Sequence, residues 1–437
     1  MSLLGAALAA TVLFQDPAPA TTLAERMAAE HARNAALPPF VPTALPRVTS
    51  SVPPKKVEPS DCCIKSLKSL LAAPSIEDPT YPTLLMSLVA YHDERRKHVL
   101  VLSAEVDADL ADTAPEKHQR IAQLHAKRAT FQVQVREASE KMVNLLKVLV
   151  STPQRHFARH LEEALYLYVQ ELQALGREVE AKDAAIRLIQ GHRDGRYAAR
   201  AYTMFGLYYL GKGKLTDARN LFERVLARAT RDADADAISH LGLGWSYLRS
   251  EAGELPRPDL ALAAFIRTIE SAPHNSILRS AHDGLVHAFA AAGRPDHAFP
   301  LFTRLAALPQ PLLGRLALAY FARGQHRESA VIYRDLIRLH PSDPQACTWQ
   351  TRLLLTAVAA HDRTAEQHEA LRLATTWKTW RDEQRHSKTI RRQCRDDTRD
   401  ILIDLTNQRP PDDPARTALC TAHRDLFPDD PPLCAAP

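Results

Sequence analysis

His156 and His160 stand four residues apart, a spacing that puts two imidazoles on one side of a helix within reach of a shared metal ion. No HExxH surrounds them. Glu162 and Glu163 follow among arginines, so they read as solvated helix histidines and no metal is expected. Gly206 to Lys212 has the GxxxxGK spacing of a phosphate loop, but no Ser or Thr follows the Lys to hold magnesium. Its first half, Gly-Leu-Tyr-Tyr-Leu, is apolar enough to be buried helix, so a hairpin turn explains it better. His92 and His98 flank the charged run Asp93-Glu94-Arg95-Arg96-Lys97, which reads as a solvated helix face. There is no GxSxG, no GxGxxG and no local Cys/His signature, so neither an enzyme nor a cofactor is expected.

Arg372 to Arg399 is locally basic and contains Trp377 and Trp380; cations with aromatics can stack nucleobases. Asp382, Glu383, Asp396, Asp397 and Asp400 interleave, however, and tryptophans three residues apart form a packing stripe. The expected partners are other proteins, with no nucleic acid and no small-molecule substrate.

The elements that must position these residues are helices. The 437 residues include 14 Gly against 30 Pro, too few glycines for the tight hairpins of a sheet-rich fold. An all-β fold is thus close to excluded, and abundant Ala, Leu, Arg and Glu favour helix. The 45% hydrophobic and 24% charged content is that of a folded globular chain, and the net charge of +5 is small for the length.

Leu3 to Phe14 is an apolar run too short to span a bilayer, and Ala18-Pro19-Ala20 supplies the small residues of a cleavage site. Met1-Ser2 carries no Lys or Arg. Residues 1–20 are expected to be an export signal, and 21–60, with seven prolines, a linker that includes one isolated helix over Leu23–Ala36. A helical region with a degenerate repeat is expected over 61–160, a repeat array over 161–343, C-terminal helices over 344–405 and a Pro/Asp-rich tail over 406–437.

Within the array the chain repeats itself. Gly206 and Tyr209, a turn at Gly211 to Gly213, then Ala218, Phe222 and Val225 describe two antiparallel helices with a small residue where they approach. Gly244 and Tyr247 with Ala261, Phe265 and Pro273 repeat the layout. So do Leu285 and Phe289 with Gly293, Ala298 and Phe302, and Ala317 and Tyr320 with Gly324, Ser329, Tyr333 and Pro341. A weaker copy runs from Tyr168 through Gly176 to Leu188, and another is placed at Leu84 to Tyr91 with its second helix at Phe131 to Val150. The pattern resembles the tetratricopeptide repeat, whose unit is about 34 residues. The resemblance implies an all-α fold, a TPR-like α-solenoid in which hairpins stack into a right-handed superhelix with a concave binding surface. Its first helices would offer Arg200, Thr203, Leu207, His240, Asp283, His287, Arg315 and Leu318 to a partner. The Lys/Asn/Arg carboxylate clamp of chaperone-tail repeats is missing at the matching positions, so such a co-chaperone role is not expected.

Leu70-Leu71, Glu77-Asp78-Pro79, Tyr81-Pro82 and Leu84 to Tyr91, followed far downstream by Cys347-Thr348-Trp349-Gln350 and Cys394-Arg395-Asp396-Asp397, resemble exported repeat proteins of myxobacterial envelopes. That group includes proteins of the adventurous gliding-motility machinery. The likeness spans roughly 65–430; such proteins usually continue past a segment like Asp425-Leu426-Phe427-Pro428, so a shortened relative with a different partner is expected. It implies a periplasmic scaffold that associates peripherally with a membrane complex. If the chain is exported, Cys347 and Cys394 are the first disulfide candidates, on helices flanking Ala365 to Trp380, and Cys420 and Cys434 could close the tail. Cys62 and Cys63 are expected to pair elsewhere than with each other, and six free thiols remain the alternative. A cytoplasmic adaptor of the same fold is the second reading, and an accessory to an enzyme the third.

Overall fold

A computed structural model describes residues 76–434 apart from 115–116, 230, 250, 252–253, 272–274 and 385. The expected leader and linker, the isolated helix over Leu23–Ala36, Cys62, Cys63 and Pro273 lie outside these residues. Sixteen α-helices and no β-strand occur among the described residues, and none of the helices is long and apolar enough to cross a membrane. Tertiary contacts divide the chain into two compact units, one ending at Gly242 and the next beginning at Leu243.

The unit ending at Gly242 opens with α1 (Tyr81–Asp112) and α2 (His118–Ser151), a long antiparallel hairpin. Then come α3 (Ala158–Ala174) with α4 (Glu178–Gly191), α5 (Ala198–Gly211) with α6 (Leu215–Leu226), and α7 (Ala233–Leu248), within which the division falls. Pairs pack within themselves and against the next element, as α2 does against α3 and α4 against α5.

The following unit holds α8 (Pro258–Ser271), α9 (Asn275–Ala292), α10 (Ala298–Leu305), α11 (Pro309–Ala322) and α12 (His326–Leu339). It continues with α13 (Ala346–Ala359), α14 (Arg363–Asp382), α15 (Lys388–Asn407) and α16 (Pro414–Leu426). Here too helices pack on their sequence neighbours, from α8 on α9 to α15 on α16, except that beyond α8, α9 packs chiefly on α11, two helices further on. The lone antiparallel bridge, Glu251 to Glu254, sits in the enlarged loop before α8. The tail expected from its prolines and aspartates contains α16. Asp413 accepts a hydrogen bond from the Ala415 N–H and Pro414 takes the first turn, where a missing N–H costs nothing.

Second-helix phenylalanines fill the groove between first helices because those helices carry glycine there. A Cβ at Gly206 or at Gly242 would fall inside the Phe222 ring, and one at Gly244 or Gly284 inside that of Phe265. Both rings are fully buried.

Four of the turns share one bonding scheme, which the turn at Gly293 does not follow. Arg177 N–H reaches Leu172 C=O at 2.8 Å, Lys214 N–H reaches Tyr209 C=O at 3.0 Å and Gln325 N–H reaches Tyr320 C=O at 3.0 Å. The residue before each donor is left-handed: Gly176 at φ +73°, Gly213 at +77° and Gly324 at +72°. Asp362 N–H closes the same ring onto Ala357 C=O at 3.1 Å, but the left-handed residue there is His361, at φ +56°.

Candidate functional site

The eight first-helix residues fall on α5, α7, α9 and α11, and the helices do not present them equally. Arg200 on α5 bonds Asp232 at 2.6 Å and Asp234 at 2.8 Å, with its guanidinium side chain largely buried. It also reaches the Tyr166 hydroxyl, which is stacked on Tyr197 at 4.9 Å and accepts a hydrogen bond from Gln170. Burial raises Tyr166 to about 12, while desolvation is outweighed at Arg200 by Asp232 and Tyr166, whose contacts raise it. Arg200 therefore ties α5 to the segment entering α7. Thr203, one helical turn on, is fully buried and hydrogen-bonds the Ala199 C=O at 3.0 Å and the Ser239 hydroxyl at 3.2 Å. It sets the spacing of α5 and α7 from inside. Leu207 is buried as well, and His240 is partly exposed.

On α9 and α11, Asp283 accepts from Arg315 at 2.6 Å, an exposed pair across neighbouring first helices. His287 lies one turn beyond Asp283, half-buried, with Arg323 donating to its backbone carbonyl at 3.4 Å. Desolvation, followed by Arg323 and Arg315, lowers His287 to about 4, so its imidazole is neutral at pH 7. Leu318 is partly exposed on the same stretch of α11.

The other chemistry-bearing spacings separate in space. His156 Nε2 meets the Ile76 C=O at 2.9 Å and His160 Nε2 meets the Thr83 hydroxyl at 3.2 Å, so each imidazole anchors a different part of α1 and the residues before it. Gly206 and Gly211 belong to helix α5, and the GxxxxGK stretch forms no loop.

The charged run on α1 is not a solvated face. Arg96 is fully buried, pairs with Glu171 at 2.5 Å and with Asp93, and donates to the Ser139 hydroxyl at 3.3 Å. Lys97 reaches Asp93 from the rim at 3.0 Å. Helical spacing explains the difference: Val89, Asp93, Arg96 and Val99 recur at three and four residues and share one buried stripe.

Trp377 and Trp380 are buried along α14. Cys347 on α13 and Cys394 on α15 form a disulfide with Cα atoms 5.9 Å apart, so α14 lies inside the covalent loop. Cys420 and Cys434 form a second, with Cα atoms 6.0 Å apart. Buried Arg409 holds Glu366 at 2.6 Å and Asp413 at 3.1 Å and joins α14 to the start of α16. Residues around the turns, including Arg323, His361 and Arg363, were passed over by sequence reasoning because their signal is a departure from glycine at a turn, visible only once the turns are aligned.

No protein-family profile and no curated protein sequence matches the chain.

Proposed function

We propose that the chain is a non-enzymatic protein-interaction scaffold, built as a tetratricopeptide-like α-solenoid and exported to the cell envelope. The observation that carries this reading is the run of helical hairpins closed by one recurring left-handed turn, with phenylalanine wedged against glycine on neighbouring first helices. Such hairpins cannot bury their apolar faces alone, and stacking them in the unit beginning at Leu243 leaves first-helix residues such as His287 and Leu318 for a partner. On the same face the Asp283–Arg315 pair offers both signs of charge to a ligand. Two cystines support an oxidising compartment, where they are stable.

The reading is tested by placing a photo-crosslinking residue at Leu318 and, as a control, at Val179 on a second helix. After irradiation in native membranes, one envelope protein should be captured from Leu318 and not from Val179. Equal capture from both sites, or capture of cytoplasmic proteins alone, overturns it.

A further inference from the structure

We propose that the turn edge of the unit beginning at Leu243, which adjoins its first-helix face at Arg323, binds an extended peptide segment carrying acidic side chains. The inference rests on the protein-binding reading above but assigns its own surface. A cavity of about 870 Å³ opens where the α11–α12 turn, the α13–α14 turn and the end of α15 meet; Arg323, His361, Arg363 and Gln408 stand in its wall. It shares Arg323 with a neighbouring cavity of about 530 Å³ walled by Leu248, Pro256 and Pro258. On the other side it shares Arg363 with one of about 520 Å³ walled by Pro410 and Pro414. We read the three as one trough, with an arginine common to each adjoining pair.

The charge balance of the trough is positive. Among the described residues neither Arg323 nor Arg363 takes part in a direct ion pair; the two carboxylates at the trough, Glu366 and Asp413, are both bonded by Arg409, and Asp413 also feels the Arg363 charge. Asp362, beside Arg363, is occupied as the N-cap of α14, accepting from the Ala365 N–H at 3.0 Å. Arg363 is the first residue of α14, where the helix dipole disfavours a cation and favours an anion. A bound carboxylate would satisfy both. His361 adds an independent observation: it stands in the trough wall, in a left-handed conformation that three sister turns reserve for glycine.

Length and lining select the ligand. A small anion would need donors converging on one point, whereas Arg323 and Arg363 are shared with different neighbouring cavities, and the wall of the central cavity also includes Phe321 and Val358. That arrangement suits an extended chain with carboxylates at intervals, the arginine-based mode of acidic-motif recognition.

The test uses the full-length oxidised protein and two fluorescein-labelled synthetic peptides, one alternating glutamate and proline, the other with glutamine in place of glutamate. Fluorescence anisotropy should show binding of the glutamate peptide alone, weakening as salt rises. Arg323→Ala and Arg363→Ala should each weaken binding about five- to tenfold. His361→Gly, which keeps the turn, should also weaken it, and Arg338→Ala, at the far end of α12 from the trough, should leave it unchanged. Equal binding of the glutamine peptide, full displacement by inorganic phosphate, or indifference to both arginine variants overturns the proposal. So does failure of the glutamate peptide to bind, and capture from Leu318 then decides separately whether the scaffold reading stands.

Discussion

At the scale of single residues, burial decides which charges do work. His287 is held neutral because its desolvation and two nearby arginines oppose protonation, with the Asp283 carboxylate acting against them. Its folded-state pKa, about 4, lies below the unfolded value near 6.5. The stability it contributes is therefore complete above pH 6.5 and is lost as pH falls toward 4. Urea unfolding at pH 7 and pH 5 should show about 1–2 kcal/mol of loss in the native protein, and a smaller loss in His287→Gln. Equal losses would remove His287 as the cause. Residue identity made some of this legible and some not. The tryptophan stripe of α14 could be read from its spacing because apolar residues have one preferred environment. Arg96 could not, because a charged run looks the same whether it faces water or, as here, closes onto Glu171 and Asp93 inside the protein.

At the scale of elements, the hairpins were legible because a small residue on one helix and an aromatic on the next are required together. Phe222 depends on Gly206 and Gly242 for its space, so Gly206→Ala should destabilise by about 1–3 kcal/mol through overpacking. Gly211→Ala, where a Cβ meets nothing within 4 Å, is the control and should be neutral or slightly stabilising. Denaturant midpoints for the two variants check this, and equal midpoints would place Phe222 elsewhere. Helix α16 was hidden by composition. Prolines at 410, 411 and 414 suggested a tail, yet Pro414 occupies a first-turn position and Asp413 caps it, so the same residues that break helices begin one. Only the surrounding apolar positions Ala415, Leu419 and Leu426, buried along one face, separate the two outcomes.

For the whole molecule, the two units differ in what fastens them. Among the described residues both cystines lie beyond Leu243, as do all four tryptophans of the chain, at 245, 349, 377 and 380. Tryptophan fluorescence therefore reports one unit alone. Reduction should lower the stability of that unit by about 4 kcal/mol for the loop closed by Cys347 and Cys394, on the chain-entropy account. Thermal melts followed by fluorescence with and without reductant measure it, and coincident melts would show that the bridge adds nothing. The bridge has a further consequence for how the protein comes apart. A run of helical hairpins ordinarily peels from its ends, since the last unit has a neighbour on one side only. With α13 bonded to α15, α14 cannot leave by that route. Its amides should exchange with solvent only when the unit opens cooperatively, and should revert to stepwise fraying once the bond is cut. The redox state of the surroundings thereby sets the route of unravelling as well as the resistance to it.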